Sequence, residues 1–407
     1  MELLELAATL PGLWSSMAKN RSPIGSSFRH GLPTQLHTPG GGSMTSYEAR
    51  TRLYDSAELL DGFNRNDPMG FTKTRDFFIF RQFVQDGLST PTSNDVRQQQ
   101  AAHDAGISGA LASYLKKARP LVGIMGGHRL NRDDPAYKMV ADLAQRLTQE
   151  GFLVATGGGP GAMEAAHLGA TFVNADESDL KKALQVLCRH SELPRLTHSL
   201  FNDDGSIKPS LIEDLQKANS WFTAALDARE FCPSTQGESL AIPTWRYGQE
   251  PTTPLATAYA KYFQNSIREE ALVAKSKTGI IYARGGGGTI REIFQDAEEN
   301  YYAEKPSDFT PMIFFDPDKY WQHNTEFDPP GSAKRHGVKI DGVITEMFRL
   351  ARAPRDDTEV CLEKVRFTID FDEIITLLKS QIPWAQANLT LMLEGRSAEL
   401  PAASWNR

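Results

Sequence analysis

The stretch that decides the fold is PLVGIMGGHRLNRDDPAYKMVADLAQRLTQEGFLVATGGGPGAMEAAHLGA, residues 120–170. It begins with a short apolar run that ends in a glycine pair, which is typical of a buried parallel strand. Apolar residues then recur at intervals of three and four, which predicts a helix with Pro135 in its first turn and Gly151 just past its end. A second apolar run, 152–156, leads into a second glycine-rich turn and a further helix. This order of strand, helix, strand and helix predicts a parallel sheet.

The same alternation continues through the second half of the chain. The run GIIYA precedes GGGGT at 285–289, a helix is predicted over 289–303, and PMIFF at 311–315 predicts a further strand. We also expect a strand at TFVNAD, 171–176, and one continuous helix over 255–277. The fold is therefore predicted to be α/β, a doubly wound, Rossmann-like parallel sheet with helices on both faces.

The composition changes along the chain and indicates several regions. The first is rich in Gly, Ser and Pro, which predicts disorder, and Met44 just after it is an alternative start of the protein. The predicted regions are a disordered tail at 1–43, a mostly helical N-terminal arm at 44–118, a Rossmann-like nucleotide-binding domain at 119–330 with an insertion at 176–250, and a helical C-terminal region packed on the core at 331–407. Helices of the arm are predicted near 46–62, 74–87 and 93–118.

Charge and cysteine usage exclude several classes of function. The chain has 407 residues and a formal net charge of −7, whereas a protein that coats nucleic acid would carry a basic excess. No apolar run approaches the roughly 18 residues of a membrane span, so we expect no membrane partner. Cys188, Cys232 and Cys361 stand far apart without metal-binding spacing, which argues against zinc and against a disulfide framework. A reducing cytoplasm fits this pattern.

Glycine-rich corners follow the predicted strands and can bind an anion. A turn lined by glycine lets backbone N–H groups approach a phosphate, and the helix behind it adds its positive end. The corners have neither the P-loop nor the dinucleotide-binding spacing, and the alternative is a set of tight turns that need a positive φ. The residues predicted to bind phosphate or substrate at these corners are Gly126, Gly127, Gly158, Gly159, Gly161, Gly285, Gly286, Gly287, Gly288 and Thr289.

Two interpretations of Glu292 are open at this stage. Thr289 and Glu292 have the spacing of a capping box, in which the two side chains satisfy N–H groups at the start of a helix. Alternatively, Glu292 lies one turn past the predicted phosphate site, where a sugar attached to that phosphate would lie. Arg268 is similarly ambiguous, because it stands beside Glu269 and Glu270, and surface arginines in such pairs usually contribute little.

These motifs resemble the LONELY GUY (LOG) family. GGGGTIRE, preceded by Arg268, resembles the family signature PGGxGTxxE with its upstream arginine, and GGGPGAMEAAHLGA resembles the family's other glycine corner. The resemblance covers about residues 118–320. It implies a phosphoribohydrolase that cleaves the N-glycosidic bond of a nucleoside 5′-monophosphate, such as AMP, to free base and ribose 5-phosphate. It further implies a homodimer that requires neither a metal nor a cofactor.

Site residues follow from this resemblance position by position. It implies that Glu292 stabilises the cationic sugar or orients the water, that Arg268 is its catalytic partner, and that Glu164 contacts the nucleotide from the other side. Two residues depart from the family pattern. Arg284 replaces a proline, which predicts either a less rigid loop or an additional cation for the phosphate, while Glu269 replaces a lysine and places a negative charge near the site. These departures keep open a non-catalytic nucleotide sensor, and a protein whose glycine corners are only turns is a further alternative.

The loop 237–254 is the predicted site of base recognition. Trp245 or Tyr247 would stack on a purine, and Glu250 would accept a hydrogen bond from the edge of the base. The alternative is that these aromatic residues pack the predicted insertion onto the core.

Overall fold

The computed structural model describes residues 47–117, 119–194, 196, 200–233, 235–246, 252–322, 337–352 and 355–393. Its strands are β1 Leu121–Met125, β2 Leu153–Thr156, β3 Ser239–Ala241, β4 Ala258–Tyr259, β5 Ile280–Tyr282, β6 Met312–Phe315 and β7 Val365–Thr368. Its helices are α1 Ser56–Leu59, α2 Arg75–Gln85, α3 Asn94–Leu115, α4 Pro135–Gln149, α5 Ala162–Thr171, α6 Glu177–Cys188, α7 Ile212–Arg229, α8 Asn265–Val273, α9 Gly287–Tyr301, α10 Ile340–Ala351, α11 Thr358–Leu362 and α12 Phe371–Leu393.

The strands form a single 7-stranded sheet in the order β4-β3-β2-β1-β5-β6-β7. Every neighbouring pair is parallel. The chain winds outward from β1 to β4 on one side and then returns to β1 to build β5, β6 and β7 on the other. Such a reversal opens a crevice outside the carboxyl ends of the two central strands. The predicted doubly wound α/β fold is therefore confirmed, and the crevice lies after β1 and β5.

Alternate residues of β1, β2, β5 and β6 enter two hydrophobic cores, as the two-residue period of a strand requires. Leu121 and Met125 of β1 pack with residues of α3, α8, α9 and α10, whereas Val122 and Ile124 pack with residues of α4, α5, α6 and α12. Helices thus cover both faces, as predicted. Helix α3, which belongs to the predicted N-terminal arm, packs directly against the sheet.

Helix α4 shows how local sequence sets the ends of an element. The Asp134 carboxylate accepts a hydrogen bond from the Ala136 N–H at 2.9 Å, and Pro135 occupies the first helical position. Gly151 leaves the helix with a φ of +90°, a conformation that favours glycine. The predicted start and end of this helix are both confirmed.

Three local predictions are wrong. Of the described residues near 46–62, only α1 is α-helical, and the strand expected at 171–176 is instead the end of α5 followed by a turn. The continuous helix expected over 255–277 begins only with α8, because Ala258 and Tyr259 pair with β3 as an edge strand. Apolar residues in that segment fit either period, and pairing with a neighbouring strand decides between them.

Besides β4, two strands lie in regions where none was predicted. Strand β3 falls in the predicted insertion, and β7 falls in the C-terminal region that was expected to be helical. Both are short and depend on their neighbours: β3 pairs with β2 and β4, and β7 pairs with β6. The predicted tail at 1–43, together with Tyr247 and Glu250, lies outside the described residues. Within the described ranges, no helix has both the length and the apolar character needed to cross a membrane.

Candidate functional site

A cleft of about 390 Å³ lies at the crevice between β1 and β5, and we call it the glycine cleft. Its walls come from the loops that follow these two strands, from α8 and from the first turns of α9. The predicted site residues that it brings together are Gly126, Gly127, Arg268, Arg284, Gly285, Gly286, Gly287, Gly288, Thr289 and Glu292. Lining residues that the sequence did not single out include His128, Arg129, Gly157, Met163 and Tyr320.

The glycines at the start of α9 are not explained by protein packing. Gly286 is the N-cap, and Gly287 and Gly288 form the first turn; all three are exposed. A Cβ added to any of them would meet no protein atom within 4 Å, and none has a positive φ. The tight-turn alternative is therefore wrong for these three positions. What their lack of side chains provides is access to the N–H groups at the helix start, which have no partner inside the helix.

The capping-box interpretation of Glu292 is also wrong. Because α9 begins at Gly287, Thr289 and Glu292 lie inside the helix rather than at its cap. The Glu292 carboxylate is only 7% exposed and accepts a hydrogen bond from Nη1 of Arg268 at 2.9 Å. The two residues predicted to be catalytic are thus in direct contact.

Arg268 is a buried residue held by three parts of the fold, not a surface arginine. It stands on α8 and is 3% exposed. Its Nε donates to the carbonyl oxygen of Ile242, just after β3, at 2.9 Å, while Nη1 binds Glu292 on α9. A Cβ on Gly157 would collide with Nη2 of Arg268, so that glycine leaves room for the guanidinium.

Burial and pairing act in opposite directions on Glu292. Burial raises the pKa of its carboxyl above the ordinary value, and the Arg268 guanidinium offsets part of that rise. The carboxylate is thus kept in a low-dielectric place with one fixed cation beside it. Such an arrangement interacts strongly with a positive charge that develops nearby.

The second glycine corner has a different role from the one predicted. Gly158, Gly159 and Gly161 are buried and do not line the glycine cleft. Gly158 and Gly161 have φ values of +74° and +72°, and a Cβ on Gly161 would collide with the carbonyl oxygen of Gly127. That same oxygen accepts a hydrogen bond from the Ala162 N–H at 3.2 Å. This corner braces the loop after β1, and Gly158 and Gly161 fit the tight-turn alternative.

Glu164 lies outside the residues that line the cleft, so its predicted contact with the nucleotide has no support from its position. It is fully buried and accepts hydrogen bonds from Nε and Nη2 of Arg132 at 2.8 Å and 2.7 Å. The Tyr137 hydroxyl donates a further bond at 2.9 Å. This carboxylate holds the start of α5 to the segment before α4. Nothing in the local sequence around Arg132 indicated this pairing.

Arg284 lines the cleft but is held at its edge. Its Nη1 donates to Asp318 at 2.9 Å and lies 4.0 Å from the Asp134 carboxylate, and its guanidinium stands 5.5 Å from the ring centre of Tyr320. The Tyr320 hydroxyl donates to the carbonyl oxygen of Gly285 at 2.6 Å and so ties down the glycine loop. The side chain that replaces the family's proline is therefore a cation at the mouth of the cleft.

The second departure, Glu269, is compensated locally. Its carboxylate forms an ion pair with Nη2 of Arg291 at 2.8 Å and accepts a hydrogen bond from Nδ2 of Asn265 at 2.8 Å. Arg291 belongs to the first half of α9, so the pair joins α8 to α9. The negative charge of Glu269 is therefore compensated by the guanidinium of Arg291.

Trp245 packs the core rather than offering a surface for a base. It is fully buried, its ring stacks on Phe263 with centres 5.6 Å apart, and Nζ of Lys261 lies 4.4 Å from its ring centre. The packing alternative is correct for this residue. Tyr247, the other candidate for stacking, lies outside the described residues.

One buried acid near the cleft was not anticipated. Asp296 lies one helical turn beyond Glu292 on α9, and the Tyr282 hydroxyl donates to its carboxyl group at 2.6 Å. Burial raises the pKa of Asp296 to about 8. This carboxyl is therefore mainly protonated at neutral pH.

Comparisons with known proteins add no family assignment to this geometry. No family model matches the chain, and no curated protein is significantly similar to it. A proposal for function therefore depends on the residues of the glycine cleft and on the resemblance of their motifs.

Proposed function

We propose that the protein hydrolyses the N-glycosidic bond of a nucleoside 5′-monophosphate and releases the free base and ribose 5-phosphate. The observation that carries the proposal is the exposed helix start at Gly286–Gly288, which shares one cleft with the buried Arg268–Glu292 pair. A phosphate site and a carboxylate one helical turn away match the two ends of a ribose 5-phosphate unit.

The 5′-phosphate would bind at the start of α9. There the N–H groups of the first turn, the Thr289 hydroxyl and the positive end of the helix favour an anion. Arg284 would add a charge-assisted contact from the mouth of the cleft. Because the phosphate does not react, its binding energy serves to position the sugar.

The ribose would then lie over Glu292. In the hydrolysis, the bond between C1′ and the base nitrogen breaks and its electron pair leaves with the base. The oxygen of a water molecule bonds to C1′. One proton of this water is transferred to the base, and the other remains on the new hydroxyl group. Positive charge develops on the sugar during this step, and the Glu292 carboxylate, held by Arg268, would stabilise it. The charge of Arg268 also favours the ionised form of this buried carboxyl group.

A nucleotide sensor with the same cleft is the second candidate. Two ion pairs favour it. Arg268 is already paired with Glu292 at 2.9 Å, and Arg284 is already paired with Asp318. A ligand has to compete with these pairs, and a protein that only binds nucleotide needs no free carboxylate. The sensor would use the phosphate site at the start of α9 without cleavage.

The experiment is a chromatographic search for free base after incubation with each common nucleoside monophosphate, AMP first. The wild-type protein is compared with Glu292→Gln and with Glu298→Gln, a matched control that removes an exposed carboxylate from the same helix. We expect base release by the wild type and the control, and a loss of about a hundredfold or more in Glu292→Gln. Thermal melting of all three proteins checks that the variants fold.

Other outcomes of this experiment would favour one of the alternative functions. No base release, together with a melting temperature that rises with nucleotide concentration, would favour the sensor. Neither base release nor a shift in melting would leave a protein whose glycine corners only shape the fold. Base release that is equal in wild type and Glu292→Gln would contradict the role of the carboxylate.

The proposal includes a homodimer, as the resemblance implies, and a location in the cytoplasm, which the cysteine pattern favours. Phe294 and Tyr301 are seven positions apart on α9 and therefore share one face, and Tyr302 follows at its end; all three are exposed. A second copy of the chain would cover such apolar surface. Light scattering coupled to size-exclusion chromatography measures the mass in solution and tests this part.

A further inference from the structure

A second cleft lies at the amino-terminal ends of β1 and β5, opposite the glycine cleft. Its volume is about 380 Å³, and it is lined by the end of α3, the start of β1, the segment between α8 and β5, and α12. Leu121, the first residue of β1, lines this cleft, whereas Met125, the last residue of β1, lines the glycine cleft. The two clefts share no lining residue, so a ligand in one leaves the other accessible.

The second cleft is cationic. Its lining includes Lys116, Arg119, Lys275 and Lys277, and none of the described residues that line it is acidic. We call it the cationic cleft. The chain as a whole carries a net charge of −7, whereas the four basic side chains give this cavity a local positive charge. Like charges held this close repel one another unless anions compensate them.

The protein itself compensates only part of this charge. Lys277 is paired with Glu299, and Arg119 lies 3.4 Å from the largely exposed Glu238. Within the described part of the chain, the side chains of Lys116 and Lys275 form no hydrogen bond or ion pair. Burial lowers the pKa of Lys275, and the charge of Lys277 lowers it further, while the carboxylates of Glu270 and Glu299 offset part of this change.

The floor of the cationic cleft is apolar. Leu115, Leu121, Ala385 and Leu389 line it together with the methylene stems of the basic side chains. Its volume falls within the range of roughly 300–1,000 Å³ that is usual for sites of small molecules. A ligand that matches this lining has an organic body and several negative charges.

We propose that the cationic cleft binds a small organic molecule that carries two or more phosphate groups. A single carboxylate would leave at least one of the two unpaired lysines without an anion, whereas a chain of phosphates can contact Lys116, Lys275 and Arg119 together. Ammonium and guanidinium groups both form strong charge-assisted bonds to phosphate oxygens. The site is independent of the nucleotide hydrolysis proposed above, because it uses none of its residues.

The test is calorimetric titration with inorganic tripolyphosphate at constant ionic strength, using the full chain. The wild type should bind it at two sites, one in each cleft. Lys116→Gln combined with Lys275→Met should weaken the site in the cationic cleft about tenfold or more. The control is Lys138→Gln with Lys182→Met, which makes the same change of charge at two exposed lysines on α4 and α6 and should bind like the wild type.

A third variant separates the two proposals. Gly287→Asp places a carboxylate in the glycine cleft and should remove phosphate binding there while leaving the cationic cleft intact. Binding that Gly287→Asp abolishes and the lysine pair does not affect would overturn the cationic site and support the phosphate site of the proposed hydrolase. Binding that survives Gly287→Asp and is lost with the lysine pair would support the cationic site, even if the proposed hydrolase fails.

Two further outcomes complete the test. Equal weakening in the lysine pair and in its control would indicate a general charge effect and overturn the proposal. If the double variant does not fold, Lys116→Gln alone changes an exposed position and should weaken binding in the same direction. Unchanged binding in that variant would likewise overturn the proposal.

Discussion

The glycine corners at 157–161 and 285–288 are alike in composition and differ in what their glycines do. In the first, the glycines are buried; Gly158 and Gly161 need a positive φ, and Gly157 makes room for Arg268. In the second, Gly286, Gly287 and Gly288 are exposed and have no positive φ, and a Cβ added to any of them would meet no protein atom within 4 Å. Packing and backbone conformation thus explain Gly157, Gly158 and Gly161, whereas they do not explain Gly286, Gly287 and Gly288.

A glycine therefore carries information only together with its surroundings. Gly285 belongs to the second corner but differs from the three glycines that follow it, because a Cβ there would collide with the Thr289 hydroxyl. Packing accounts for that residue, while access to the backbone accounts for the three that follow. Substitutions that add one methyl group separate these roles, because the same chemical change then has different consequences at different positions.

The largest effect is expected for Gly161→Ala. Its φ of +72° disfavours any side chain by roughly 1–2 kcal/mol, and the new methyl would also collide with backbone at Gly127. We expect a loss of about 3 kcal/mol in the free energy of unfolding, measured by urea denaturation. Gly288→Ala is the control and should be neutral or slightly stabilising, because alanine favours a helix. Equal losses of unfolding free energy in both variants would contradict the different roles that we assign to the glycines of the two corners.

The next effect should appear in catalysis rather than in stability. Gly157→Ala pushes a methyl group against Nη2 of Arg268, and a displacement of about 1 Å at a reacting centre can cost about a hundredfold in rate. We therefore expect a large fall in kcat with a modest change in melting temperature. Gly109→Ala is the matched control, since a Cβ there meets nothing within 4 Å. Full turnover in Gly157→Ala would show that Arg268 adapts or does not take part.

A smaller effect is expected at the open corner. Gly287→Ala should leave the melting temperature nearly unchanged, because no protein atom lies within 4 Å of the added methyl. The methyl group would stand between the ligand and the helix start, so the affinity for AMP should fall about tenfold. Isothermal titration measures this directly. An unchanged affinity would place the phosphate elsewhere and remove the contrast with 157–161.

The last prediction concerns a dependence of stability on pH rather than a loss at one pH, and it involves the buried part of the helix that begins at the open corner. Because the pKa of Asp296 is about 8 in the folded protein, against an ordinary 3.8, the folded state holds a proton that the unfolded state releases. This contribution to stability is complete below pH 3.8 and is lost as the pH rises to about 8. The wild type should therefore lose stability relative to Asp296→Asn over this interval, with a constant difference above it.

Urea denaturation of both proteins, from about pH 5 to about pH 9, measures this difference. Asparagine keeps an oxygen that can accept from the Tyr282 hydroxyl, so the variant is expected to fold. Parallel curves for the two proteins over the whole interval would mean that Asp296 is ionised in the folded state.

Much of the fold was predictable because its signals are local. The apolar runs of β1, β2, β5 and β6 and the caps of α4 are written in consecutive residues, and the structure has each of them. The strands β3, β4 and β7 were missed because SLA, AY and VRFT are too short or too mixed in polarity to stand out as apolar runs, so pairing with a neighbouring strand decides their conformation. Their partners lie far away in the sequence.

The candidate site divides in the same way. The sequence alone determined that glycine-rich turns follow the strands, since glycine next to a helix start is a local pattern. Only the tertiary structure decided that Glu292 binds Arg268 rather than a helix cap, that Glu164 is taken up by Arg132, and that Trp245 belongs to the core. Each depends on which side chains meet across the fold. A local pattern sets what a residue can do, and the free energy of long-range contacts selects among those possibilities.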